Sequence, residues 1–181
     1  RSGALPAPLE IIEERTVGPG LGQDSINSGI FALIIGSLLV IIFMIFKYRL
    51  FGLIANISLF VNLMLLIGIL TLFEATLTLP GIAGIILTVG MAVDANVLIY
   101  ERIKEESKIS NKNNLIIFDS GYTKSRTAII DANITTLIAA IILFIMGSGP
   151  VKGFSVTLGI GIITTLFSVY YISRLLNSIY V

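Results

Sequence analysis

Long uncharged apolar runs, broken by short polar clusters, set the pattern of this chain. A helix crossing a membrane needs about 17–25 mostly apolar residues, because roughly 30 Å of hydrocarbon is covered at 1.5 Å per residue. Five stretches qualify. Residues 29–46 hold no charge and end at Lys47, Tyr48 and Arg49, a basic and aromatic cluster suited to the headgroup layer. Residues 51–73 are also uncharged, and their Asn56, Ser58 and Asn62 are expected to face protein and not lipid. Residues 80–100 open at Pro80-Gly81, with Pro in the first helical turn, and contain a single charge, Asp94. Residues 132–148 and 153–173 complete the set, the last closed by Arg174.

The links carry their own pattern. Residues 101–130 begin with Glu101-Arg102-Ile103-Lys104-Glu105-Glu106, where opposite charges recur three and four residues apart, as on a solvated helix. The third span is therefore expected to run on past the membrane, to break at residues 111–114, and to return through a second short basic segment into the fourth span. Residues 1–22 form neither a signal peptide nor a span: they lack an apolar core, contain Pro6, Pro8 and Pro19, and do not start with Met. They read as a cut end, and residues 1–28 as the C-terminal remnant of an extracytoplasmic domain, with a strand over residues 9–17 and a lead-in to the membrane. Residues 29–181 read as one transmembrane helical domain.

Composition agrees with an all-α membrane protein. Of 181 residues, 55% are hydrophobic and only 13% charged, with a mean hydropathy of +0.98. Soluble domains carry about a quarter of their residues as charges, so soluble enzymes are excluded. A net charge of +1 gives no electrostatic footprint for nucleic acid. With no Cys and no His there is no disulfide, thiol, imidazole or Cys/His zinc chemistry, and no cofactor or metal is expected. Any acid–base work falls to carboxylates.

Counting Lys and Arg on alternate sides of the spans sets an orientation, since basic residues near span ends are retained in the cytoplasm. One side collects Lys47, Arg49, Arg102, Lys104, Lys108, Lys112, Lys124, Arg126 and Arg174, and the other holds Arg1, Arg15 and Lys152. The N-terminal segment is thus expected outside and the C-terminus in the cytoplasm.

Asp94 is the residue most in need of an explanation. It lies about 14 residues past Pro80, roughly 21 Å along the helix, within the hydrocarbon. A carboxylate there costs roughly 2.5–3.5 kcal/mol on insertion scales, so it is expected to take up a proton unless water or a cation partners it. Such a group can carry protons, or it can merely hydrogen-bond a neighbouring helix. Gly90, one turn before it, and Gly84 are small enough to admit another helix closely. In the fourth span Asp131 suits a helix cap, while Asn133, Thr135 and Thr136 lie deeper and can hold water, accept a hydrogen bond from Asp94 or simply join helices. In the fifth, Thr157, Gly161 and Thr165 are spaced by four, with Ser168 close to the same face, so three polar faces are expected along one proton route. An aspartyl-protease pair of Asp94 and Asp131 is disfavoured, because Asp131 lies near the span boundary and such a pair must share its proton across about 3 Å.

Several blocks resemble the SecD family of bacterial protein-export membrane subunits. They are Ala4-Leu5-Pro6-Ala7-Pro8 with Glu13-Glu14-Arg15-Thr16-Val17-Gly18-Pro19; residues 48–56; residues 77–84; Gly90-Met91-Ala92-Val93-Asp94-Ala95-Asn96; Asp131-Ala132-Asn133-Ile134-Thr135-Thr136; and Gly149-Pro150-Val151-Lys152-Gly153-Phe154. Together they reach over nearly the whole chain. The resemblance implies one half of a resistance-nodulation-division (RND)-like membrane fold, six helices per half, with the other half from SecF. Five of the six are visible here, and the first span and most of an extracytoplasmic domain are missing. It further implies a multi-pass subunit of the bacterial cytoplasmic (inner) membrane. Such a subunit is not an enzyme; it draws on the proton-motive force to help preproteins leave the SecYEG channel after SecA has driven them in. Asp94 matches the acidic residue implicated in proton conduction, Asn133 and Thr136 match polar positions beside it, and an Arg is expected from SecF. Gly84, Gly90, Gly161 and Thr165 are expected to pack helices near that relay. The other readings are a proton-driven small-molecule exporter of the same fold and a passive translocon scaffold.

Overall fold

The computed structural model describes residues 19–109 and 113–181, with side chains from residue 24 onward. The strand expected over residues 9–17 lies outside the described residues. Most of the described residues fold as helix: α1 (Pro19–Tyr48), α2 (Leu50–Leu72), α3 (Leu79–Ile109), α4 (Asn114–Met146), α5 (Pro150–Phe167), a π-helical turn (Ser168–Ser173) and α6 (Arg174–Tyr180). Among the described residues five segments are long and apolar enough to cross a membrane, the last running from α5 through α6.

Local chemistry explains the ends. Arg49 turns the chain between α1 and α2 at φ 52°, and the two helices meet so closely that a Cβ on Gly52 would strike the Met44 carbonyl. Thr78 caps α3: its Oγ1 accepts the Gly81 N–H at 3.2 Å, satisfying one of the donors that a helix start leaves unpaired. Gly149 adopts φ 46°, a conformation that costs a side-chain-bearing residue energy, and Pro150 then opens α5.

The helices outrun the apolar stretches: α3 continues to Ile109, as the charge spacing suggests, and α4 already starts at Asn114, so residues 101–109 and 114–130 cross as a helical hairpin. There Gly121 abuts Ile103, and buried Glu106 accepts from Lys124 at 2.7 Å and Ser120 at 3.3 Å, with Arg102 3.3 Å away. Asp131 consequently stands inside a helix and caps nothing; Asn113 holds the cap position.

α3 lies at the centre, packed on α5 and α4, with α2 against α5 and the π turn and with α1 at the edge. Residues such as Phe31, Leu38, Ile42 and Phe46 leave α1 largely exposed, as on a lipid-facing helix. Small and polar residues mediate the inner contacts. Ser58 and Ser168 pair through their hydroxyls at 2.8 Å, and Asn62 Nδ2 donates to Thr165 Oγ1 at 3.1 Å. Ser58 and Asn62 are therefore buried against protein, as their place in an apolar span suggests.

Candidate functional site

α3 buries Ala92, Val93, Ala95 and Asn96 and turns Asp94 outward, with Leu87 and Leu98 exposed along the same stripe. Asp94 sits at the midpoint of this helix, about 22 Å from either end. It opens onto a cleft of about 150 Å³, walled by Met91, Ala95 and Leu98 of α3 and by Ile129, Ala132, Asn133 and Thr136 of α4.

The cleft brings together the three residues singled out for a relay, although none bonds another. Asn133 Nδ2 donates to the Ile129 carbonyl at 2.7 Å and Thr136 Oγ1 to the Ala132 carbonyl at 3.0 Å, both within α4. That spends the Thr136 hydroxyl proton and one of the two Asn133 amide hydrogens, and leaves the Asn133 Oδ1 and Thr136 Oγ1 lone pairs to receive a proton-bearing Asp94 or a water. Among the described residues Asp94 has neither a hydrogen bond nor an ion pair, and no cation lines the cleft.

The fifth span does not join this cleft. Its polar face is spent on the inner side of α3 and on α2. A Cβ on Gly161 would run into Thr88, and Thr165 serves Asn62. Gly84 faces Thr157 in the same α3–α5 crossing, where an added Cβ would come within 3.2 Å. Gly90 differs: among the described residues an added Cβ would meet nothing within 4 Å, so no described helix uses the space it leaves.

A second polar constellation was not foreseen. Asn96, Tyr100, Tyr122, Ser173 and Asn177 are buried together where α3, α4 and the π turn converge. The trace it leaves in the sequence is a buried position at every fourth residue from Thr157 to Asn177, a repeat too long for a straight helix to keep on one side.

Fold and site together define a multi-pass membrane protein with a carboxyl inside its third apolar helix that faces away from the described bundle. The model of the SecD/SecF C-terminal domain of protein export membrane proteins matches residues 4–180, and the chain belongs to that family. It is 58% identical over 174 residues to protein translocase subunit SecD of Desulfurispirillum indicum, which covers 96% of this chain and 34% of that protein. It is 56% identical over 181 residues to protein translocase subunit SecD of Rickettsia bellii, covering 100% of this chain and 35% of that protein. The crystal structure of SecDF, a translocon-associated membrane protein from Thermus thermophilus, superposes with a TM-score of 0.87 at 43% identity, over 91% of this chain and 23% of that one. The chain thus spans about a third of the length of the SecD relatives it matches.

Proposed function

We propose that these helices are the membrane part of a SecD-like translocase subunit that uses the proton-motive force to promote late steps of preprotein export, with Asp94 as the proton carrier. One observation carries the reading: Asp94 is exposed inside an apolar helix, beside Asn133 and Thr136, and among the described residues it has no partner of its own. Lipid is a poor neighbour for that group, so a surface from another chain or segment, or a hydrated crevice, covers it.

A second, SecF-like half supplies that surface and brings a cation. Ionised Asp94 attracts the cation and draws the halves together; protonated Asp94 does not, and they separate. Proton binding then has a differential interaction with two states, which is the condition for driving a conformational change. Asn133 and Thr136 accept a hydrogen bond from protonated Asp94 or hold a water beside it. Gly90 leaves room for the partner's helix to approach. The basic ends of the spans, Lys47, Arg49, Lys104, Lys108, Arg126 and Arg174, face the cytoplasm. The preprotein's path belongs to the SecYEG channel, and SecA supplies the earlier ATP-driven push. The names of the relatives favour protein export over export of small molecules.

The test is proton-gradient-dependent completion of preprotein translocation into vesicles carrying the full-length complex, comparing wild type with Asp94→Asn at matched levels of assembled subunit. The gradient's contribution is expected to vanish while assembly is retained. If it persists unchanged, Asp94 has a packing role and the subunit acts as a scaffold.

A further inference from the structure

The polar cluster on the inner side of α3 is tied to the cleft on its outer side by a single helical rotation. Ser173 Oγ donates to Asn96 Oδ1 at 2.7 Å, while Asn96 Nδ2 is held by the Ala92 carbonyl at 2.9 Å. The amide is therefore fixed at both ends. Asn177 Nδ2 lies 3.1 Å from the Tyr100 hydroxyl and 3.2 Å from both the Tyr122 hydroxyl and Ser173 Oγ, so it braces Ser173 against α3 and α4 at once. Asn177 and Ser173 are wholly inaccessible to solvent.

The π turn is what puts Ser173 there. Thr157, Gly161, Thr165, Val169, Ser173 and Asn177 are all buried at steps of four. A straight helix turns about 100° per residue, so each step of four overshoots by roughly 40°, and five steps carry the stripe about 200° around. Ser173 and Asn177 would then point away from α3. The wider turn at Ser168–Ser173 fits more residues into one revolution and keeps both on the inner side.

Asn96 follows Asp94 by two residues, about 200° around the same helix. Clamping one side thus sets the bearing of the other. We infer that the Asn96–Ser173 clamp, braced by Asn177 and aimed by the π turn, is a positioning element that fixes the rotation of α3 and keeps the Asp94 carboxyl beside Asn133 and Thr136. The inference rests on the reading of Asp94 as proton carrier. No other titratable group lines the cleft from α3 or α4, and α5 does not reach it. Asp131 is exposed on α4 outside the lining, and Glu101, two turns along α3, is engaged by Tyr48 at 2.9 Å and lies 3.7 Å from Lys47.

The test follows gradient-driven translocation against pH in vesicles carrying the full-length complex. Without the clamp, α3 is free to rotate and carry its carboxyl away from Asn133 and Thr136 toward the lipid side, where the charged form is disfavoured. Asn96→Ala and Ser173→Ala are each expected to raise the midpoint of the pH profile by about one unit, tenfold in proton affinity. The double variant should shift no further than either single one, and Ser173→Thr, which keeps the hydroxyl, should return the midpoint to the wild-type value. Ser125→Ala removes a buried hydroxyl bonded only within α4 and should leave the midpoint in place. If Asn96→Ala fails to assemble, the Ser173→Ala and Ser173→Thr pair decides. A lower yield of complex with an unmoved midpoint overturns the inference and makes the cluster plain packing. Loss of gradient dependence in Asp94→Asn together with unmoved midpoints overturns only this inference; gradient dependence that survives Asp94→Asn overturns the carrier reading itself.

Discussion

Gly161→Ala probes the crossing that holds α5 on α3. A Cβ there would overlap Thr88 Oγ1 and stand 2.9 Å from Thr88 Cγ2 and 3.1 Å from Thr88 Cβ. Thr88 cannot swing aside: it is fully buried, β-branched and therefore stiff about χ1, and its hydroxyl donates to the Gly84 carbonyl at 2.9 Å. Gly84 is itself pressed on Thr157, so the helices cannot slide apart locally without opening a second contact. Overpacking of this kind costs about 1–3 kcal/mol, or about 5- to 150-fold in the folding equilibrium. Thr88→Ala removes both outer atoms and keeps only the Cβ, so the double variant should recover most of the loss. Thr88→Ala alone should cost no more than about 0.5–1.5 kcal/mol, since it gives up one hydrogen bond within its own helix. The assay is SDS titration of the full-length subunit in detergent micelles, read by helical circular dichroism and analysed as a double-mutant cycle. A wild-type midpoint for Gly161→Ala, or additive losses in the double variant, would refute the tight crossing.

Two further outcomes separate the inner and outer faces of the bundle. Gly90 meets open space within this chain, so Gly90→Ala should leave the SDS midpoint unchanged or raised by up to about 1 kcal/mol from helix propensity, while Gly90→Phe should keep the fold and lose co-purification of the second half. A Gly90→Phe subunit that still co-purifies its partner would argue against docking at that face. Thr165→Val deletes the Asn62–Thr165 hydrogen bond, and since such bonds between membrane helices average about 0.6 kcal/mol, the loss in the same titration should be smaller than that of Gly161→Ala.

The span pattern, the place of Asp94 inside the third apolar run and its neighbourhood with Asn133 and Thr136 were legible because each depends on spacing along a helix. Lipid admits few folds besides a helix, so apolar length alone announces α1 through α5. The inward turn of Ser58 and Asn62 was legible for the same reason: polar side chains in hydrocarbon seek protein. The fate of the α5 stripe was not. Thr157, Gly161 and Thr165 share a face in any helix, but whether that face meets the Asp94 cleft or the far side of α3 depends on how two helices are rotated about their axes. Asp131 was misplaced likewise, because charge spacing marks residues 114–130 as polar without saying that their helix continues unbroken into the span.

Residue order alone carries the number of apolar spans, the single acid within the third and the resemblance to the family, all of which rest on residues near one another in the chain. Only the tertiary structure decided that Asp94 looks outward while Asn96 looks inward, and that a π turn delivers Ser173 to Asn96. The physical reason is that hydrophobic length is a one-dimensional quantity, whereas azimuth is set by close packing at Gly52, Gly84 and Gly161 and by buried hydrogen bonds between residues as distant as Asn96 and Ser173.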